Sequence, residues 1–168
     1  MSKISVLMSV YKKENPEYLR ASLESILVQT RTADEILLIE DGPLTQELYQ
    51  VVAEYQKKCD YLHVHAMEQN VQLGRALAKG VELCQYDLIA RMDTDDIAMP
   101  DRLEKEGAYM EAHPEVDVVG GAIREFNDEG TIDRVKNMPK TQEEILEYVK
   151  VRNPLLSAYT VAWLCTIR

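Results

Sequence analysis

The chain has 168 residues, of which 19 are Lys or Arg and 29 are Asp or Glu, so its formal net charge is -10. An excess of carboxylates repels phosphate backbones and anionic membranes, which argues against nucleic-acid or lipid binding driven by net charge. An anionic ligand would therefore need a bridging cation. A chain of this length can fold around one hydrophobic core without disulfides or a structural metal.

No part of the sequence approaches the run of about 18 apolar residues that a membrane helix requires. The apolar start Ile4–Val10 is interrupted by Ser5 and Ser9, which indicates a strand and not a signal peptide. We therefore predict a cytoplasmic protein without an integral membrane segment, either free or peripheral at the membrane.

Strand and helix patterns alternate through the first two thirds of the chain. The predicted strands are Ile4–Val10, Ile36–Ile39, Tyr61–Ala66 and Leu88–Met92. The first predicted helix begins at Asn15-Pro16 and the fourth begins at Pro100-Asp101. The second has apolar residues on one side, Leu48, Val51, Val52 and Tyr55, and the third is marked by Leu73, Leu77 and Val81. This alternation is typical of right-handed βαβ crossovers. It predicts an α/β fold with a mostly parallel sheet and helices on both faces.

The patterns weaken in the last third of the chain. Val116–Gly120 predicts a fifth strand, Ile123–Val135 predicts a hairpin that turns at Asp128–Gly130, and Thr141–Glu144 is a capping box before a short helix. Leu155–Arg168 is apolar but has neither the strand period nor the helix period. The sequence pattern therefore assigns no element to that last segment.

Polar residues follow the predicted strands at their carboxyl ends. Tyr11, Asp41 and Asn70 come after the first three strands, and Asp93–Asp96 come after the fourth. Open parallel sheets bind their ligands outside the carboxyl ends of the strands. The sequence therefore predicts that these residues meet at one ligand site.

Several common motifs are absent. The glycines form no Gly-x-Gly-x-x-Gly, no Gly-x-x-x-x-Gly-Lys and no Gly-x-Ser-x-Gly, which argues against dinucleotide-binding, P-loop and serine-hydrolase functions. Cys59, His63 and His65 match no established zinc spacing, and we favour structural or surface roles for them.

The run Arg91–Asp96 is the strongest chemical signal in the chain. A buried strand delivers Asp93, Asp95 and Asp96 to a turn at the ligand edge. Carboxylate oxygens of this kind suit Mg²⁺ or Mn²⁺, with waters and substrate phosphates completing the coordination. The alternative is a solvated acidic turn that caps the following helix.

Three further residues each have two interpretations. Asp41 is either an ordinary turn residue or an acceptor of hydrogen bonds from a base or ribose. Tyr11 is either a buried aromatic residue at a strand end or a ring that lies against the base. Arg75, at the start of the third helix, is either a surface residue or a contact for a diphosphate.

Four segments occur in an order and spacing that resemble a known family. They are Ser5–Tyr11, Leu23–Thr30, Glu35–Gly42 and Arg91–Asp96, the last of which is followed by Pro100–Leu103. Together they resemble the family 2 glycosyltransferases, which are inverting, nucleotide-sugar-dependent enzymes of the Rossmann-like GT-A fold. The resemblance runs from the first predicted strand to about Gly121.

The resemblance implies a role for each matching residue. Asp93 and Asp95 would bind the divalent ion, Mn²⁺ or Mg²⁺, and Asp93 would also meet the nucleotide diphosphate. Asp41 and Tyr11 would hold the nucleoside, with Glu14 near it. No residue of the chain can be assigned as the catalytic base.

One segment departs from the family pattern Asn-x-Gly-Leu-Gly-x-Ala-Leu-Asn-x-Gly. Here it is Asn70–Gly80, in which Gln72 and Ala78 replace a Gly and an Asn. This departure weakens the case for phosphate or sugar contacts from the segment. Arg75, which lies within it, is kept as a nucleotide-binding candidate, and Asp96 is expected to support the acidic turn.

The resemblance implies a glycosyltransferase that moves a sugar from a nucleotide-diphosphate sugar, most often a UDP-sugar in this family, to a hydroxyl of a glycan or lipid-linked acceptor. Such reactions belong to bacterial-type polysaccharide or glycolipid synthesis. Family members normally continue into an acceptor-binding half. We therefore predict one nucleotide-sugar-binding domain over residues 1–168, in which the acceptor-binding part, about 122–168, is incomplete.

Two other functions stay open at this point. The first is a nucleotide-sugar-binding remnant that has kept the donor site and lost turnover. The second is an aspartate-based phosphotransferase, but such enzymes place the acidic pair after the first strand, whereas here it follows the fourth.

Overall fold

The computed structural model describes residues 1–126, 133–151 and 160–163. The strands are β1 (Ile4–Val10), β2 (Glu35–Glu40), β3 (Leu62–Ala66), β4 (Leu88–Asp93), β5 (Val118–Gly120), β6 (Ile123–Phe126), β7 (Asp133–Lys136) and β8 (Thr160–Trp163). The helices are α1 (Pro16–Leu27), α2 (Gln46–Lys58), α3 (Leu73–Leu83), α4 (Arg102–Ala112) and α5 (Gln142–Tyr148). All four strands and all four helices predicted for the first two thirds of the chain are present.

A six-stranded sheet has the order β3-β2-β1-β4-β8-β5. Within it, β1 pairs in parallel with both β2 and β4, and β2 pairs in parallel with β3. The chain therefore moves outward from β1 to β3 and then returns to the other side of β1. This reversal of strand order creates a crevice between the carboxyl ends of β1 and β4.

Alternating side chains of the sheet pack against helices on its two faces. One face carries the larger core, in which Ile4, Val6 and Met8 of β1 pack with apolar residues of α1, α2 and α4. The other face carries a smaller core, in which Leu7 and Ile39 pack against α3. The predicted α/β fold, with a mostly parallel sheet covered on both faces, is confirmed.

The last third of the chain differs from the prediction at two points. The fifth strand begins at Val118 and not at Val116, because the Val116 N–H donates to His113 O (2.9 Å) in a turn. The predicted hairpin is present as β6 and β7, although its turn, Asp128–Gly130, lies outside the described residues. The predicted capping box before α5 is also present, with Thr141 and Glu144 bonded reciprocally.

Within Leu155–Arg168, where the sequence pattern assigned no element, the structure has a strand at Thr160–Trp163. These four residues form β8, which lies antiparallel between β4 and β5 and makes the sheet mixed. Such a short strand is stabilised by hydrogen bonds to partners far away in sequence, so it needs no local period. The rest of the segment lies outside the described residues. Among the helices that the model describes, none combines the length and apolar character needed to cross a membrane.

Gly80 allows α3 to pack closely on the sheet. A Cβ atom at this position would lie 2.3 Å from Leu7 Cδ1 and 3.2 Å from Ile39 Cγ1, two side chains of the smaller core. Gly74 lies on the same helix, and a Cβ atom there would meet nothing within 4 Å. An Ala substitution at either glycine changes helix propensity, but only the substitution at Gly80 also changes packing against the sheet.

Gln72 precedes α3 in a backbone conformation that side chains disfavour. Its φ is 74° and its ψ is 151°, a region that is essentially restricted to glycine and costs about 1–3 kcal/mol for other residues. Its carbonyl accepts hydrogen bonds from the N–H groups of Arg75 (3.0 Å) and Ala76 (3.1 Å). The start of the helix therefore fixes this conformation of Gln72. The family that the sequence resembles has glycine at this position.

We expect Gly80→Ala to lower the free energy of unfolding, because overpacking costs about 1–3 kcal/mol and exceeds the gain of up to about 1 kcal/mol in helix propensity. Gly74→Ala is the matched control and should be neutral or stabilising. Urea denaturation followed by circular dichroism measures both. Equal effects of the two substitutions would contradict the close packing of α3 on β1.

We expect Gln72→Gly to raise the free energy of unfolding by about 1 kcal/mol, because the relief of backbone strain exceeds the added entropy of the unfolded chain. Gln50→Gly, in the exposed middle of α2, should instead lower it by about 1 kcal/mol. The same denaturation experiment compares the two variants. A destabilised Gln72→Gly protein would contradict the strain at this position.

Candidate functional site

A cavity of about 480 Å³ opens at the carboxyl edge of the sheet, over the crevice between β1 and β4. Its lining residues are Ser9, Tyr11, Glu14, Asp41, Asn70, Gln72, Leu73, Asp93, Thr94 and Asp95. Five of the six residues that were predicted to bind the nucleotide or the ion are among them, and so is Asn70, which the sequence also placed at this edge. The sixth, Arg75, is exposed in the first turn of α3 and is not among the lining residues.

Asp41 is a buried carboxylate that organises one side of this cavity. It follows β2, is 4% exposed, and accepts hydrogen bonds from the Val71 N–H (2.6 Å) and from Asn70 Nδ2 (2.9 Å). Gly42 has a φ of 82°, and a Cβ atom there would lie 2.5 Å from Asn70 N. The turn after β2 and the segment before α3 are therefore held in close contact.

Tyr11 and Glu14 form the side of the cavity that follows β1. Tyr11 is 43% exposed, so its ring is available to a ligand. The alternative interpretation, a buried aromatic residue at the strand end, is therefore wrong. The Thr94 hydroxyl donates to Glu14 Oε2 (2.6 Å), and the Glu14 N–H donates to Tyr11 O (3.0 Å). Glu14 thus connects the turn after β1 to the acidic turn after β4.

The acidic turn brings three carboxylates together. Oxygens of Asp93, Asp95 and Asp96 all lie within 4.8 Å of one another. Asp93 is paired in bidentate fashion with Arg91, whose Nη1 lies 2.7 Å from Asp93 Oδ2 and whose Nη2 contacts Oδ1. Asp95 and Asp96 make no hydrogen bond or salt bridge with any residue that the structure describes, so their oxygens are available to a cation.

Burial and mutual repulsion raise the pKa values of two carboxyls in this cluster, Asp96 and Asp93. The pKa of Asp96 rises to about 6, mainly through burial and then through the charges of Asp95 and Asp93. Burial also raises the pKa of Asp93, against the opposing effect of Arg91. A bound cation would favour the ionised carboxylates and relieve both effects. The three residues therefore fit a divalent cation with oxygen ligands.

The acidic turn does not cap the following helix. Helix α4 begins at Arg102, its N-cap residue is Asp101, and the Asp101 side chain makes no capping hydrogen bond. Asp96 lies five residues before that cap. The helix-cap interpretation of Asp93–Asp96 is therefore wrong, because the turn and the helix are separate elements.

Arg102 supports the acidic turn from below. Its guanidinium donates to Arg91 O through Nη2 (2.9 Å), contacts Met92 Sδ through Nη1 (3.2 Å), and pairs with Glu106 (3.1 Å). Its side chain is 4% exposed. Arg102, at the start of α4, thus holds the end of β4 in place.

Sequence reasoning missed the polar contacts by which α1, and Gln29 just after it, hold the segment from Asp93 to Leu103. The donors and acceptors are Ser22 Oγ to Asp93 O (2.9 Å), Ala98 N to Ser25 Oγ (3.0 Å), Gln29 Nε2 to Met99 O (2.7 Å) and Leu103 N to Gln29 Oε1 (3.0 Å). Ser22, Ser25 and Gln29 are all buried. The available signal was the spacing of three residues between Ser22 and Ser25, which places both hydroxyls on one face of α1, with Gln29 four residues further on.

Solved structures share this fold. One is a Staphylococcus aureus TarS fragment, residues 1–349, in complex with UDP, with a TM-score of 0.72 and 19% identity over 96% of this chain and 47% of that one. Another is the mannosyltransferase PcManGT from Pyrobaculum calidifontis in complex with GDP-Man and Mn²⁺, with a TM-score of 0.65 and 16% identity over 74% of this chain and 36% of that one. Both likenesses show the fold alone.

Similar sequences carry glycosyltransferase names. They include an uncharacterized glycosyltransferase of Haemophilus influenzae (46% identity; 96% of this chain and 60% of the relative), the amylovoran biosynthesis glycosyltransferase AmsE of Erwinia amylovora (43%; 89% and 56%), and the UDP-Gal:alpha-D-GlcNAc-diphosphoundecaprenol beta-1,3-galactosyltransferase of Escherichia coli (35%; 90% and 55%). The chain spans between 55% and 60% of the length of these relatives.

The family comparison agrees with the fold and with the motifs. A family model described as "Glycosyl transferase family 2" matches residues 5–165. This match continues beyond Gly121, where the motifs of the sequence resemblance end. Because it covers nearly the whole chain, and because relatives align over most of it, the chain belongs to glycosyl transferase family 2.

Proposed function

We propose that this chain forms the donor site of an inverting glycosyltransferase that uses a UDP-sugar together with Mn²⁺ or Mg²⁺. The observation that carries the proposal is the cavity at the strand-order reversal. It combines an exposed aromatic ring and a buried carboxylate on one side with the carboxylates of the acidic turn on the other. A nucleoside diphosphate needs both kinds of contact, one for the base and ribose and one for the phosphates.

The nucleoside would occupy the side formed by Tyr11 and Asp41. The ring of Tyr11 offers an apolar face for stacking on a base. Each oxygen of the Asp41 carboxylate accepts one bond within the protein, and each has a second lone pair for an N–H of the base or an O–H of the ribose. Since Asn70 and Val71 hold this carboxylate in place, it is preorganised to accept those bonds.

The diphosphate would lie towards the acidic turn. Asp95 and Asp96, with Asp93 beside them, would hold the cation, which would supply positive charge to the phosphates and so stabilise the leaving nucleoside diphosphate. This arrangement agrees with the net charge of -10, because an acidic protein has few other means of binding a diphosphate. The GDP-Man and Mn²⁺ in the complex of PcManGT support the choice of ion class.

The acceptor would be a glycan or a lipid-linked glycan. This part of the proposal rests on the relatives, of which one is named for amylovoran biosynthesis and another for transfer to a diphosphoundecaprenol-linked sugar. The names of the UDP and UDP-GlcNAc complexes of TarS, and of the galactosyltransferase, favour uridine as the base. An acceptor in lipid-linked form would place the protein at the membrane surface.

In an inverting transfer, the acceptor hydroxyl attacks the anomeric carbon from the face opposite the nucleotide, and a carboxylate accepts its proton. Glu14, Asp41 and Asp93 are each hydrogen-bonded within the protein, and Asp95 belongs to the proposed cation cluster. We assign the base to none of them. A protein with this donor site but without a base would bind the sugar nucleotide and not transfer it, which is the second function that this lining supports.

We expect UDP to bind the protein with Mn²⁺ and to bind at least about tenfold more weakly in chelator, because carboxylate charge and ligand number set the affinity of a cation site. Asp95→Asn should reduce this ion-dependent gain and leave the fold intact. Calorimetry with and without Mn²⁺, on proteins of matched thermal stability, measures the effect. Asp87→Asn, an exposed residue before β4, removes the same charge elsewhere and is the control. Equal UDP affinity with and without the ion would refute the cation role.

We expect Asp41→Ala to weaken UDP binding by about tenfold or more, because hydrogen bonds to a charged acceptor contribute about 1.5–3 kcal/mol. The ratio of affinities with and without Mn²⁺ should stay as in the wild type. Asn70→Ala is the matched control, since it removes a tether of Asp41 and keeps the carboxylate. If Asn70→Ala lost as much UDP affinity as Asp41→Ala, the carboxylate would be a structural tether only.

A further inference from the structure

Arg91 and Asp93 form an ion pair inside the candidate site. The two residues are two positions apart on β4, so their side chains lie on the same face of the sheet. Arg91 Nη1 donates to Asp93 Oδ2 (2.7 Å), and Nη2 donates to Oδ1. Both oxygens of Asp93 are therefore engaged by one guanidinium, in the bidentate geometry that makes such pairs strong.

The pair is held by the backbone on both sides. Arg91 O accepts from Arg102 Nη2 (2.9 Å), and Asp93 O accepts from Ser22 Oγ (2.9 Å). The side chains of Arg91 and Asp93 are 12% and 27% exposed, so solvent screens their attraction only in part. Within the described part of the chain, Arg91 Nε is buried without a hydrogen-bond partner, so the guanidinium is oriented towards Asp93 at some cost.

This ion pair opposes a second cation at the same place. A divalent cation that uses Asp93 must displace at least one guanidinium hydrogen bond, and a cation held by Asp95 and Asp96 alone still lies near a fixed positive charge. Repulsion between two cations in a partly buried site is substantial. An anionic diphosphate reverses the balance, because it adds negative charge that both the cation and the guanidinium can share.

We propose that Arg91 is a positioning residue that neutralises Asp93 when no nucleotide is bound and makes cation binding depend on the nucleotide. Without nucleotide, it keeps Asp93 neutralised and lowers the affinity for a free divalent ion. With nucleotide, cation and diphosphate bind together, and each raises the affinity for the other by the same factor. The inference rests on the proposed function, since it assumes that the acidic turn receives a cation and a diphosphate.

The test measures Mn²⁺ binding to the purified chain, alone and with saturating UDP, by electron paramagnetic resonance of free Mn²⁺. We expect Arg91→Gln to bind Mn²⁺ alone roughly tenfold more tightly than the wild type, because it removes a nearby positive charge. The factor by which UDP raises Mn²⁺ affinity should fall by a similar amount. Arg20→Gln removes the same charge from a surface pair with Glu54 and is the control, which should leave both quantities unchanged.

Arg91→Lys is the second variant, in case Arg91→Gln does not fold. It keeps the charge but loses the bidentate contact, so we expect Mn²⁺ alone to bind about threefold more tightly than to the wild type. Wild-type Mn²⁺ affinity and unchanged UDP coupling in folded Arg91 variants would overturn the role of Arg91 and leave the proposed function intact. If the wild type bound no Mn²⁺ even with UDP, the proposed cation role would itself be overturned.

Discussion

The parallel pairing of β1 with both β2 and β4 is the constraint on which the site depends. Parallel strands end at the same edge of a sheet, so Tyr11, Asp41 and Asp93, which are separated by up to 82 positions in the chain, come to one cavity. The reversal of strand order at β1 separates the following loops and leaves a crevice between them. A sheet with consecutive antiparallel strands would have placed the turn after β1 at the edge opposite the turns after β2 and β4.

Two sets of buried polar contacts convert this crevice into a rigid site. On one side, Asp41 fixes the segment before α3 through Asn70 and Val71. On the other, side chains of α1 together with Arg102 hold the acidic turn and the loop that follows it. Because a buried polar group without a partner is costly, these contacts make the loop positions specific. Loops that are fixed in this way can carry charge at a defined place without depending on their own secondary structure.

The charge of the acidic turn is the main electrostatic cost of the site. Burial and mutual repulsion raise the pKa of Asp96 to about 6, and Arg91 and Arg102 oppose this rise. Two guanidinium groups thus compensate part of the negative charge from within the protein. The remaining charge on Asp95 and Asp96 is left for a ligand. On the functions proposed above, the arginines would set how strongly the site attracts a cation, and the carboxylates would set where that cation binds.

The sequence by itself determined the α/β class, the first four strands and helices, and five of the residues that line the cavity, because local periodicity and strand-end polarity encode them. Tertiary structure decided the features that depend on distant partners. β8 exists through pairing with β4 and β5, and Gln72 adopts a positive φ where its carbonyl accepts hydrogen bonds from the first turn of α3. The Arg91–Asp93 pair lies between these cases. Its spacing is visible in the sequence, but its bidentate geometry requires a backbone that Arg102 and Ser22 hold from other elements.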